Sequence, residues 1–133
     1  MPQFQQNDPF KDLKDGVHNT ADRTSEFDVE DIRRNKGVSS LAYIPLLFWI
    51  PLAARSNSRF AKFHANQGLI FFIVMAVLDI VERFFTFIPY VHSLVSACVS
   101  LIGLCYFLYG FINTLNGNAR ELPFIGKFDL IKY

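Results

Sequence analysis

Three charged residues interrupt an otherwise apolar stretch and are the first candidates for chemistry. Asp79 is followed by Glu82 and Arg83, so all three side chains share one face of a helix. An aspartate near the middle of a membrane helix costs about 3 kcal/mol on insertion scales and needs a partner. One hypothesis makes Asp79 and Glu82 a proton or cation site. We favour the alternative, in which all three lie near the outer interface, paired or hydrated, because no second acidic helix exists to build a relay.

A second polar set lies at the ends of two apolar stretches. Small and amide residues recur every three or four positions from Gly110 to Arg120, so they form one stripe on a helix. Small residues allow close approach of helices, and amides hydrogen-bond between them. We predict that this stripe packs against Asn66 and Gln67; the alternative is a cavity that binds a lipid headgroup or a peptide. The candidate cluster comprises His64, Asn66, Gln67, Asn113, Asn116 and Arg120.

The sequence lacks the residue patterns that a metal site or an enzyme active site needs. His18, His64 and His92 lie far apart in the sequence, with no accompanying carboxylate or thiolate cluster. Cys98 and Cys105 are about 10.5 Å apart along a helix, beyond the reach of a disulfide. The sequence also has no glycine-rich phosphate loop and no GxSxG nucleophile turn. We therefore expect no enzymatic activity, no cofactor and no metal.

Composition indicates a membrane protein. Of 133 residues 51% are hydrophobic and 15 are Phe, whereas most of the 12 acids precede residue 37. A formal net charge of +1 without a dense basic stripe argues against nucleic acid as a partner. The first apolar run begins near residue 38, behind a charged tail, so no cleavable signal peptide is expected.

Two long apolar segments predict a transmembrane hairpin. The segments run from about Phe63 to Phe85 and from about Tyr90 to Asn116, and each is long enough to span. Their connection around residues 86–89 has no basic residue, whereas basic residues lie beyond the other two ends. The positive-inside rule therefore places those ends, and both tails, in the cytoplasm.

The segment from Val38 to Ala54 is harder to place. It is barely long enough to span, and Pro45 and Pro51 disturb helical hydrogen bonding. Both flanks favour the cytoplasm, which predicts a kinked or re-entrant helix; a straight three-span arrangement with the N-terminus outside is the alternative. The flanking bases are Arg33, Arg34 and Lys36 on one side and Arg55, Arg59 and Lys62 on the other.

These segments predict an all-α integral membrane fold with three membrane helices in three regions. Residues 1–36 form a polar, mostly disordered cytoplasmic tail, with a short helix over residues 25–34 capped by Thr24 or Ser25. Residues 37–117 form the membrane helical domain. Residues 118–133 alternate apolar and charged side chains and are expected to lie in the membrane interface, with a flexible soluble tail as the alternative.

Four motifs resemble one family: LAYIP at residues 41–45, FHANQGL at 63–69, INTLNG at 112–117 and ARELPFIGK at 119–127. The sequence resembles, over residues 36–132, small bacterial membrane proteins related to the chloroplast Tic import component, including MamF-type magnetosome proteins. The resemblance implies a domain of three or four membrane helices and organelle-related roles. It provides no catalytic residues.

The sequence thus favours a non-enzymatic accessory or scaffold protein of the bacterial cytoplasmic membrane. Its expected partners are the lipid bilayer and either another membrane protein or further copies of itself. The alternative is a subunit of an oligomeric transporter, channel or protein-translocation pore, which requires assembly because one short chain encloses no pathway.

Overall fold

The computed structural model describes residues 22–133, which contain helices and no strand. This confirms the predicted all-α class for that part of the chain, and the tail before residue 22 lies outside the described residues. Two short 3₁₀ turns, Thr24–Glu26 and Leu41–Tyr43, accompany the α-helices. The α-helices are α1 (Val29–Ser40), α2 (Trp49–Ala54), α3 (Arg59–Arg83) and α4 (Pro89–Leu115).

Helices α3 and α4 form the predicted hairpin. The Ser58 hydroxyl caps α3 by accepting from the Ala61 N–H at 3.0 Å, and α4 begins with Pro89, whose missing N–H needs no partner there. Both helices are long and apolar enough to cross a membrane. Only 11% of the most apolar 18-residue stretch of α4 is buried, so this helix presents an apolar surface on most sides. Such a surface suits lipid better than water.

The segment from Val38 to Ala54 is not one helix, and a straight first span is wrong. Helix α1 ends at Ser40, the backbone is extended at Ile44, and Leu46 adopts a φ of 67° before α2 begins. Pro45 explains the break, because a proline restricts the preceding residue to extended backbone. Pro51 is tolerated within the first turn of α2, where its missing N–H costs little.

This broken segment runs down the hairpin and returns. Ala42 lies directly against Gly68, and the Phe48 ring lies 5.7 Å from Phe72, about 20 Å along α3 from its start. The chain then turns back through α2 and reaches Ser58, the cap of α3. Both flanks of the segment therefore lie at the same end of the hairpin.

Of the predicted disordered tail the structure describes residues 22–36, where Phe27 and Asn35 are buried and most other side chains are exposed. Phe27 is 5% exposed and forms an apolar core with Phe60, Phe63 and Ala119. The Arg23 N–H also donates to the Ala119 carbonyl at 2.9 Å. The residues before α1 and those after α4 thus meet at one end of the hairpin, in a unit that we call the head (residues 22–43, 59–71 and 113–133).

The predicted short helix in this region begins later than expected. Helix α1 begins at Val29 with Asp28 at its N-cap, whereas Thr24 lies in the preceding 3₁₀ turn. The Thr24 hydroxyl instead accepts from the Ala119 N–H at 2.9 Å. A second apolar cluster contains Leu122, which is only 2% exposed, so a freely flexible C-terminal tail is wrong at this residue.

Candidate functional site

The polar residues at the start of α3 lie inside the head. His64, Asn66 and Gln67 are fully buried. Phe63, which precedes them, and Ala65, which lies between His64 and Asn66, are fully buried as well. A helix buried on every side needs surrounding elements, and here α1, the Leu41–Tyr43 turn and the C-terminal segment supply them. Buried amides and imidazoles require hydrogen-bond partners, which identify the contacts of this site.

His64 connects three elements. Its Nδ1 lies 2.7 Å from the Tyr43 hydroxyl and 3.0 Å from the Thr114 hydroxyl. The Thr114 hydroxyl also bonds to the Gly110 carbonyl at 2.7 Å, within α4. The Phe60 ring packs against the imidazole at 4.5 Å. The result is a buried hydrogen-bonded group that ties the Leu41–Tyr43 turn and α4 to α3.

Gln67 binds the backbone of the C-terminal segment. Its Nε2 donates to the Gly126 carbonyl at 2.8 Å, and its Oε1 accepts from the Leu122 N–H at 2.9 Å. Gly126 is required here because an added Cβ would overlap the Gln67 amide oxygen and the Leu122 backbone. The side-chain amide therefore satisfies backbone groups as a neighbouring strand would.

Asn66 likewise hydrogen-bonds the backbone of the C-terminal segment, at residues 128–131. Its Nδ2 donates to the Phe128 carbonyl at 2.8 Å. Its Oδ1 accepts from the N–H groups of Leu130 and Ile131, at 2.7 and 2.8 Å. Adjacent amides on α3 thus hold residues 122–131 with five hydrogen bonds to backbone atoms.

The hydrogen bonds of this amide pair go to the C-terminal segment and not to the predicted stripe on α4. Asn113 donates to the Tyr109 carbonyl of its own helix at 2.7 Å, and Asn116 is exposed at the end of α4. Arg120 faces Asp22 at 3.4 Å. The structure brings together His64, Asn66 and Gln67 but not the other three candidates, because the C-terminal segment already occupies the amide positions that the stripe was expected to fill.

Sequence reasoning missed Tyr43 and Thr114. Tyr43 lies in the LAYIP motif and Thr114 in the INTLNG motif, so both were quoted without a role. The signal in the sequence is Gly110, one helical turn before Thr114. In the structure, a Cβ added at Gly110 would lie 2.7 Å from Cζ of the Tyr43 ring. A glycine that leaves room for an aromatic ring indicates close packing at that level.

Arg23 links both ends of the described chain. Its guanidinium lies 2.8 Å from Glu26 and 3.6 Å from Glu121, and it hydrogen-bonds the Tyr133 hydroxyl. Burial raises the pKa of the Glu121 carboxyl, and Arg23 acts in the opposite direction. Burial raises the pKa of the Tyr133 hydroxyl to about 12. The charged side chains of this cluster pair with one another, so the cluster serves the fold.

The three charged candidates at the far end of the hairpin do not form one site. Glu82 Oε1 lies 3.3 Å from His92 Nε2, an ion pair between α3 and α4 when the imidazole is protonated. Asp79 and Arg83 are both exposed, and the structure places no ion pair between them. Asp79 has no ion-pair partner within residues 22–133, and the location of the three residues near the outer interface, paired or hydrated, stays a prediction.

Within residues 22–133, no group of three or more histidine, cysteine or acidic side chains is placed to hold a metal ion. Comparison with protein families gives a match over residues 36–129 to the MamF/MmsF model, described as the magnetosome magnetite crystal formation protein family. The chain belongs to this family. Comparisons with curated proteins and with solved structures gave no match.

The matched range contains His64, Asn66 and Gln67 of this MamF/MmsF family member, together with Tyr43 and Thr114. It includes the Leu41–Tyr43 turn, both hairpin helices and most of the C-terminal segment that Asn66 and Gln67 hold. The first turns of α1 precede it. The family is one of magnetosome membrane proteins, and the comparisons make no link to the plastid import component.

Removing the Tyr43 hydroxyl tests the group around His64. Tyr43→Phe is expected to lower the free energy of unfolding by about 1 kcal/mol, because it deletes one buried hydrogen bond without changing the ring. Denaturant unfolding in detergent micelles provides the measurement. The matched control is Tyr90→Phe, at a tyrosine that is 91% exposed. Equal effects of the two substitutions would contradict the structural role of the hydroxyl.

Proposed function

We propose that this chain is a non-enzymatic structural component of a magnetosome-type membrane, where it holds a rigid head at one surface for binding partner membrane proteins. One observation carries the proposal: the three buried polar side chains at the start of α3 hydrogen-bond within the chain. Asn66 and Gln67 satisfy backbone groups, and His64 bonds to two hydroxyls. Of the polar atoms of these three side chains, His64 Nε2 alone lacks a hydrogen-bond partner within the described residues, so they offer little polar chemistry to a substrate.

The proposed orientation places the head at the cytoplasmic face of the membrane. The basic residues around the broken segment and after α4 favour that side under the positive-inside rule. The broken segment then enters the membrane from the cytoplasmic side and returns. Exposure supports this, because Leu46 is 61% and Trp49 is 54% exposed, and neither suits contact with water. Exposed Phe124 and Phe128 suit an interfacial position for the C-terminal segment.

A transport function is the second candidate, and Asp79 is the observation that favours it. An exposed carboxylate on an apolar helix is costly in lipid and often marks an ion pathway. Such a pathway requires several copies, because the hairpin of one chain encloses no channel. A protein-translocation pore, which the resemblance to the plastid import component suggests, requires the same assembly.

Ion flux distinguishes the two functions. The purified chain is reconstituted into liposomes that contain a pH-sensitive dye, and a potassium gradient with valinomycin provides the driving force. A structural component is expected to give no proton flux above that of protein-free liposomes. A flux that is lost in Asp79→Asn would overturn the structural function and establish transport.

A further inference from the structure

A groove of about 720 Å³ follows the line where α3 meets α4, below the broken segment. Pro45 and Leu46 of the broken segment line it, and so does Asp79, further along α3. Phe71 and Asp79 both line it, so the groove extends for about 12 Å, or two turns of a helix. Apart from Asp79 its lining is apolar.

Asp79 is the only charged residue that lines this groove. Neither of its charged neighbours on α3 neutralises it, because Glu82 is itself an acid and Arg83 forms no ion pair with it within the described chain. A carboxylate on a surface that otherwise suits lipid calls for a positive partner from outside the described residues.

We propose that this groove docks a transmembrane helix of a partner protein that carries a lysine or arginine at the depth of Asp79. The proposal rests on the structural function given above and identifies its binding surface and the chemistry of the partner. Charge complementarity selects the partner, since an ion pair gains strength where water is absent. The apolar walls of the groove supply the remaining contact by close packing.

Depth along the hairpin favours a helix over a lipid headgroup. Arg83 lies one turn nearer the end of α3 than Asp79, followed by the exposed aromatic side chains of Phe84 and Phe87. Aromatic side chains of this kind are typical of the membrane interface. A cationic headgroup at that level meets Arg83 first, whereas a basic residue within a membrane helix reaches Asp79 from the side.

Two synthetic helices test the proposal. Each is a 21-residue leucine and alanine peptide that bears a dansyl group, with either lysine or leucine at its centre. The full chain is reconstituted in liposomes, and energy transfer from Trp49 to dansyl is measured as peptide is added. Trp49 is the single tryptophan of the chain and follows Phe48, which packs on Phe72 beside the groove. The lysine peptide is expected to reach half-saturation at a peptide-to-lipid ratio about tenfold lower than the leucine peptide.

Two variants assign the preference to the carboxylate. Asp79→Asn is expected to remove the difference between the peptides, and Glu82→Gln, at an acid 3.3 Å from His92 that does not line the groove, is expected to keep it. Equal binding of both peptides by the natural chain, or a preference that persists in Asp79→Asn, would overturn the proposal. Energy transfer between differently labelled copies that is lost in Asp79→Asn would also overturn it, because the groove would then bind a second copy. None of these results changes the ion-flux measurement, so the proposed function stands or fails separately.

Discussion

Gly68→Ala is expected to lower the free energy of unfolding by about 3 kcal/mol, a large effect for one methyl group. An added Cβ would lie 2.7 Å from the Ala42 carbonyl carbon and closer still to its oxygen. Backbone atoms cannot turn away as a flexible side chain does, so the Leu41–Tyr43 turn must move off α3. Overpacking of this kind costs about 1 to 3 kcal/mol and sometimes more. The displaced turn also carries Tyr43 away from His64, which adds the loss of a buried hydrogen bond.

Gly37→Ala is the matched control. Gly37 lies in α1, is exposed, and has open space where a Cβ would be added. Alanine stabilises a helix relative to glycine, so this variant is expected to gain about 0.5 to 1 kcal/mol. Both variants are measured by denaturant unfolding in detergent micelles. Equal stability of Gly68→Ala and the natural chain would contradict the close contact between the turn and α3.

Gln67→Ala is expected to release the C-terminal segment from α3 and to lower the free energy of unfolding by about 2 to 4 kcal/mol. The substitution leaves the Leu122 N–H and the Gly126 carbonyl without their side-chain partner in a buried place. Each unsatisfied buried group costs about 1 to 3 kcal/mol. Leu122 is itself buried, so separation of this segment also exposes apolar surface.

Hydrogen exchange measures this release residue by residue. The Leu122 amide is expected to lose most of its protection in Gln67→Ala, and trypsin is expected to cut faster after Lys127. Asn113→Ala is the matched control, since the Asn113 side chain donates only within its own helix and its loss should change neither measurement. If Asn113→Ala instead exposed the C-terminal segment as strongly as Gln67→Ala, the hydrogen bonds assigned to Gln67 and Asn113 would be contradicted.

The hairpin was predictable because each of its helices is a long, continuous apolar run. The predicted segments begin and end within a few residues of α3 and α4. Proline chemistry also anticipated that the segment from Val38 to Ala54 is no regular span. Its actual path depends on the left-handed backbone of Leu46 and on the space at Gly68, which periodicity does not reveal.

The partners of the buried amides were not predictable. Asn66 and Gln67 were recognised as members of a polar interior, but an amide bonds equally well to a side chain or to backbone. The sequence favoured Asn113 on the neighbouring helix, whereas the structure places the backbone of residues 122–131 there. Irregular segments carry no periodic signal, so their packing depends on tertiary contacts that only coordinates reveal.

The position of the head relative to the membrane is tested most directly by cysteine labelling in intact cells. In a background with Cys98 and Cys105 replaced by alanine, single cysteines are introduced as Glu30→Cys, Thr86→Cys and Lys127→Cys. A membrane-impermeant maleimide is expected to label only Thr86→Cys in intact cells, and to label Glu30→Cys and Lys127→Cys once the membrane is opened. Labelling of Glu30→Cys and Thr86→Cys from the same side would contradict a head built from both ends of the chain on one face of the membrane.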